Sequence, residues 1–133
     1  MNSLQLERWR EVWREGFAPG FTTTELRCLR DALEEDNHEL KQGDTTVPPP
    51  LNCVKDWPVE EACVIGFCGW KGANLDLVGE VGEYFSRKCQ ECDDRLGEPA
   101  ECRWFLNWFD DTPRDEMIPE LLAEVKLALS QRG

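Results

Sequence analysis

The chain has 133 residues, 41% hydrophobic and 32% charged, with 27 acids against 15 bases for a net charge of −12. That size and apolar content predict one globular domain, residues 1–133, with its own core, and exclude an intrinsically disordered chain. No run nears the ~18 consecutive apolar residues of a transmembrane helix, and the acidic surplus disfavours direct binding to nucleic acid or to an anionic membrane, both of which need a positive face.

The first helix is predicted from about Ser3 to Glu15. Leu6, Trp9, Trp13 and Phe17 recur at spacings that place them on one helix face. Ser3 is its expected N-cap, and Gly16 with Pro19 its expected stop. Thr22-Thr23-Thr24-Glu25 opens a second helix, because a Thr and a Glu three residues apart can form a capping box. Leu26, Leu29 and Leu33 stripe that helix until it fades near Asp36-Asn37. Residues 41–55 read as one long irregular loop in which Pro48-Pro49-Pro50 forms a short polyproline segment.

Asp56-Trp57-Pro58 is the expected start of a third helix, apolar nearly all round through Ala62, Cys63, Ile65, Phe67 and Cys68 and therefore buried. Gly69-Trp70-Lys71-Gly72 ends it. Asn74 is the expected cap of a fourth helix of about twenty residues. Its stripe is Leu75, Val78, Phe85, Cys89, Cys92 and Leu96, and Gly79 and Gly82 inside it mark places where a neighbour comes close. Gly97-Glu98-Pro99 separates this from a fifth helix carrying Trp104, Phe105, Trp108 and Phe109. The chain restarts at Asp110-Asp111-Thr112-Pro113, where Thr112 and Asp115 have capping-box spacing and Pro113 fits the first helical position. Pro119 predicts a kink or a fresh start before Leu121, Leu122, Val125 and Leu129 complete the last helix. The β-branched alternation of strands is absent. The expected fold is all-α, a compact bundle of five or six helices with one long Pro-rich loop.

Seven cysteines is an odd number for a disulfide framework, and Met1 to Arg8 has no basic stretch leading into an apolar one. The expectation is a cytoplasmic chain with reduced thiols. Cys89-x-x-Cys92 has chelating or redox spacing. Cys102 is a third candidate zinc ligand, and Cys63, Cys68 or His38 a fourth. Against zinc, both members of the pair fall on the apolar stripe of the fourth helix, where cysteine is ordinary core. Core cysteines and no cofactor is therefore the preferred reading, with zinc as the weaker alternative. Glu35-x-x-His38 has the spacing of a di-iron carboxylate motif, but such sites need two copies and the chain has one histidine. There is no Gly-x-Ser-x-Gly elbow and no glycine-rich phosphate loop.

Two features remain. Residues 1–30 carry four acids and five bases, so nearly all the acidity lies in residues 31–133. Six tryptophans are far above ordinary usage, and several sit beside acids. Trp9, Trp13, Trp104 and Trp108 suit a core, whereas Trp57 and Trp70 flank loops and suit a partly exposed aromatic site. Acid beside aromatic recognises arginine-rich surfaces and other cations. The expected binding residues are Asp56, Trp57, Glu60, Glu61, Trp70, Asp93, Asp94, Asp110 and Asp111. The leading expectation is a non-enzymatic module that docks on a basic protein surface, as an inhibitor or nucleic-acid mimic would. The rivals are a small carboxylate enzyme using a divalent cation and a cysteine-ligated zinc module.

Overall fold

A computed structural model of the chain describes residues 3–47 and 55–132, with side chains from Arg8 onward. The proposed cap at Ser3, the Leu6 side chain, the Pro48-Pro49-Pro50 segment and Cys53 lie outside what is described. The architecture is an all-α compact bundle: α1 (Ser3–Val12), α2 (Thr23–Glu34), α3 (Val64–Phe67), α4 (Val78–Leu96), α5 (Cys102–Asp111) and α6 (Arg114–Ser130). A two-residue antiparallel ladder, β1 (Thr46–Val47) with β2 (Glu61–Ala62), is added to it.

α1 does not stop at Gly16. It widens into a π-turn over Trp13–Phe17 and then tightens into a 3₁₀ turn over Ala18–Gly20. Gly16 is buried there because α4 presses on it: a Cβ at Gly16 would lie 2.4 Å from the Cys92 sulfur. The π-turn carries Trp13 and Phe17 into the centre of the molecule. Trp9 stacks on Trp108 of α5 at 3.5 Å between ring centroids with 4° between planes. Trp104 and Trp108, which suit a core by sequence, are half-buried and packed against it.

α2 begins as its sequence dictates. The Thr22 hydroxyl accepts the Glu25 N–H at 3.1 Å, and the Glu25 carboxylate accepts the Thr22 N–H at 2.7 Å. Its Leu26, Leu29 and Leu33 stripe is fully buried and packs on α6, which contributes Met117, Leu121 and Val125. Burying each such side chain stabilises the fold by ~2 kcal/mol.

The third helix starts at Val64, not at Asp56. Residues 55–62 are extended because other segments claim their backbone. Gly79 N–H donates to Lys55 O at 2.7 Å, Val78 N–H to Trp57 O at 2.9 Å, and Val59 N–H to Asp76 O at 2.9 Å. Further along, Glu60 N–H donates to Val47 O at 2.7 Å and Ala62 N–H to Glu39 O at 2.9 Å. The helix that follows is buried as predicted, opens with the Cys63 sulfur accepting the Gly66 N–H at 3.5 Å, and continues as a π-turn over Cys68–Gly72.

α4 is capped at Leu77, whose N–H donates to the Glu80 carboxylate at 3.3 Å. Asn74 instead adopts a left-handed turn with φ +61°. Gly79 admits a close neighbour, as its place in the helix predicts, but that neighbour is the extended Lys55, 3.1 Å from where a Cβ would sit. α6 runs unbroken through Pro119 and has no side-chain cap, so neither a fresh start at Pro119 nor the Thr112–Asp115 box forms. Pro119 removes only the donor that the Asp115 carbonyl would have used, in a turn whose Asp115, Glu116 and Pro119 are exposed. Among the described residues no helix is long and apolar enough to cross a membrane.

Candidate functional site

The nine predicted binding residues fall into separate groups. The first is built on the 55–60 segment. Pro58 bridges Leu77, so the backbone pairing sets Asp56, Trp57 and Glu60 alongside Asp76 and the first turn of α4, with Glu80. Trp57 is 57% exposed, the most open of the described large hydrophobic side chains. Asp56, Glu60 and Asp76 are exposed, and none joins a salt bridge among the described residues. Lys55 is the one base on this stretch of chain. Six backbone hydrogen bonds to other segments hold residues 55–62 in place, so the indole stands on a fixed ribbon and not on a loose loop.

Glu61 and Trp70 are already engaged. Glu61 faces the Lys41 ammonium at 3.6 Å. Trp70 is half-buried, packs edge-on against Phe67, and has the Lys71 ammonium 4.0 Å above its ring. A cation therefore already occupies the face that sequence reasoning assigned to a partner.

Asp93 and Asp94 lie at the end of α4. Asp93 accepts the N–H groups of Ala100 at 2.9 Å and of Cys102 at 2.8 Å, which fixes the turn into α5. Asp94 accepts from Gln90 at 2.9 Å. Both border a shallow depression of about 350 Å³ with Gly97, Glu98 and Pro99.

Asp110 and Asp111 end α5. Asp110 accepts the Gly43 N–H at 2.9 Å and lines a cleft of about 220 Å³ with Asp44, Asn107, Cys63 and Phe85. Partial burial pushes its carboxyl above the ordinary range. Gly43 opposes the shift, and Asp111 and Asp44 add to it. Asp44 and Asn107 were not legible as members of this site, nor were Asp76 and Glu80 as neighbours of Trp57. In each case the link is a long-range backbone contact that leaves no local sequence signal.

Among the described residues no group of three or more His, Cys, Asp or Glu side chains is placed to hold an ion. Cys63 and Cys68 are buried, and burial pushes the Cys63 thiol up to about 11. Cys92 is fully buried and pushed up to about 12 for the same reason. His38 is exposed in the turn that follows α2. The six described cysteines are free thiols. Comparison with protein-family models, with curated proteins and with solved structures finds no match to this chain.

Proposed function

We propose that this protein is a binding module that docks through Trp57 and its surrounding carboxylates on a basic surface of another protein. The observation that carries the reading is the pairing of a 57% exposed indole with a hydrogen-bonded ribbon. Trp9 and Trp13 are spent in the core, and Trp70 already holds Lys71. A preorganised tryptophan loses little entropy on docking and is the residue type most enriched at interface hot spots. Asp56, Glu60, Asp76 and Glu80 add negative potential around it, which steers a cationic partner and stacks arginine against the ring. Where the partner surface normally holds nucleic acid, occupancy by these carboxylates competes with phosphate, and the module is an inhibitor.

The test is fluorescence anisotropy with a labelled arginine-rich peptide and a neutral peptide of equal length. Wild-type protein is expected to bind only the arginine-rich peptide, and more weakly as salt rises past physiological strength, where screening acts beyond ~8 Å. Trp57→Ala should cost on the order of 30-fold in Kd, the scale of a hot-spot residue. It should leave the unfolding midpoint unchanged. Binding that ignores salt, or that survives Trp57→Ala, removes the proposal.

One observation favours a second reading, a carboxylate enzyme. Asp110 sits at a concave cleft with its carboxyl pushed up, the setting of a general acid. Asp110 also clamps the Gly43 turn, which gives it a structural role without any chemistry. A substrate screen comparing wild type with Asp110→Asn separates the two. Any turnover abolished by that change supports the enzyme, and an arginine-rich peptide bound equally by both supports the docking module.

A further inference from the structure

The turn at residues 42–45 is fastened to the end of α5. The Gln42 amide donates to the Phe109 carbonyl at 2.6 Å and to the Thr112 carbonyl at 2.7 Å, and the Gly43 N–H donates to Asp110 Oδ1 at 2.9 Å. Cys63 N–H donates to Thr45 O at 3.1 Å, which ties the same turn to the start of α3. The cleft of about 220 Å³ lies between this turn, α4 and α5, and these bonds hold its walls in place before anything enters.

The lining divides by chemistry. Phe85 and Leu106 are half-buried and Phe109 is buried, which gives the cleft an apolar floor. Asp44, Asn107 and Asp110 are exposed and give it a polar rim. Leu106 and Asn107 stand four and three residues before Asp110, so one face of α5 supplies both floor and rim. No base lines the cleft. Among the described residues the only ion pair at the rim is Lys41 with Asp44, at 3.8 Å. Asp110 spends Oδ1 on Gly43, and among the described residues neither its Oδ2 nor the Asn107 side-chain amide has a partner. The ten-residue α5 ends here, and its last carbonyls add partial negative charge to the same rim. Partial burial, with Asp111 and Asp44 adding to it, keeps the Asp110 carboxyl above the ordinary range, as befits a negative charge that lacks a cation.

We propose that this cleft binds a small organic ammonium ion with an apolar body, an aralkylamine by class. The ammonium sits at the rim and donates to Asp110 Oδ2 and to the Asn107 side-chain oxygen, while the hydrocarbon part covers Phe85 and Leu106. The volume is below the ~300–1,000 Å³ of pockets for drug-sized ligands, which limits the occupant to one ring and a short chain. Binding here depends neither on Trp57, which is not among the lining residues, nor on any turnover at Asp110.

The test titrates the isotope-labelled full chain with phenethylamine and follows its backbone amide resonances by NMR. Phenethyl alcohol and phenylacetate serve as charge controls that carry the same ring. The amine is expected to move the Gly43, Asn107 and Asp110 resonances saturably. The alcohol should bind ~10-fold more weakly, the scale of one charge-assisted hydrogen bond, and phenylacetate should give no saturable shift. Asp110→Asn keeps an acceptor for Gly43 and removes the charge, so it should weaken the amine by ~10-fold as well. Leu106→Trp fills the floor and should abolish the shifts. No saturable shift with the amine, or equal binding of all the compounds, would overturn the proposal. Amine shifts centred on the Trp57 indole and lost in Trp57→Ala would overturn it too, and would assign amine recognition to the docking surface. The wild-type series alone decides it if either cleft variant fails to fold.

Discussion

Glu25 is 3% exposed, yet both its oxygens are used: one takes the Thr22 N–H at 2.7 Å, the other the Tyr84 hydroxyl. A buried carboxylate is tolerable only when it is satisfied in this way. Tyr84→Phe leaves one oxygen without a donor at nearly unchanged shape, and should cost ~1–3 kcal/mol in urea unfolding. A loss near zero would mean that water reaches Glu25. Asp110 presents the opposite case. Its folded pKa is raised, so the charged form burdens the fold, and stability is greatest below the ordinary carboxylate range and declines as pH rises through the raised value. Asp110→Asn should therefore match or exceed wild-type Tm at pH 7. That advantage should fade as both proteins are taken toward pH ~4. A variant less stable than wild type at pH 7 would show that the charged bond to Gly43 outweighs the burden.

Elements meet at contacts that leave no room for adjustment. The π-turn after α1 passes α4 at Gly16, where an added methyl meets the Cys92 sulfur. Gly16→Ala should destabilise by ~1–3 kcal/mol through overpacking. Combining it with Cys92→Ala should recover part of that loss, a coupling that a double-mutant cycle measures directly. Purely additive losses would place the strain elsewhere. The same contact explains what was readable in advance. The Thr22–Glu25 capping box, the leucine stripe of α2 and the break at Gly97 are local patterns, and the structure follows them. Gly16 reads as a helix stop because a close helix crossing and a chain terminator present the same residue. The start of α3 is misread for a related reason. Asp56-Trp57-Pro58 has helix-opening character, but Lys55, Trp57 and Val59 spend their backbone groups on residues 76–79, some twenty positions away. The candidate site inherits that blindness: Trp57 was legible as a loop-flanking aromatic, while Asp76 and Glu80 join it only through this pairing.

At the scale of the whole molecule, like charge opposes compaction. A net charge of −12 with a pI near 4.5 means that repulsion is strong at pH 7. Most of its ion pairs are partly exposed and each contributes only ~0–1 kcal/mol. Glu124 is the exception, 6% exposed and gripped by Arg14 at 2.6 and 2.9 Å. Moderate salt should therefore raise Tm at pH 7, because screening relieves more repulsion than it removes attraction. Acidification from pH 7 toward the carboxylate range should raise Tm as well, by protonating Asp110, whose carboxyl is held above the ordinary range. Asp36 and Glu101 are held below the ordinary range by Arg114 and Arg8. Their contribution is present above the unfolded value and is lost only as pH falls through the depressed one, so the decline should come at pH below ~4. A Tm that falls with added salt would show that attraction dominates at pH 7.

The stack of Trp9 on Trp108 has an optical consequence. Two indoles 3.5 Å apart and within 4° of coplanar share their electronic excitation, and the handedness of their offset splits the absorption into a circular-dichroism couplet. The two rings belong to α1 and α5, so the couplet reports the docking of those helices, not their helicity. A denaturation followed at the couplet and at the backbone band would show whether the N-terminal helix peels away before the bundle melts.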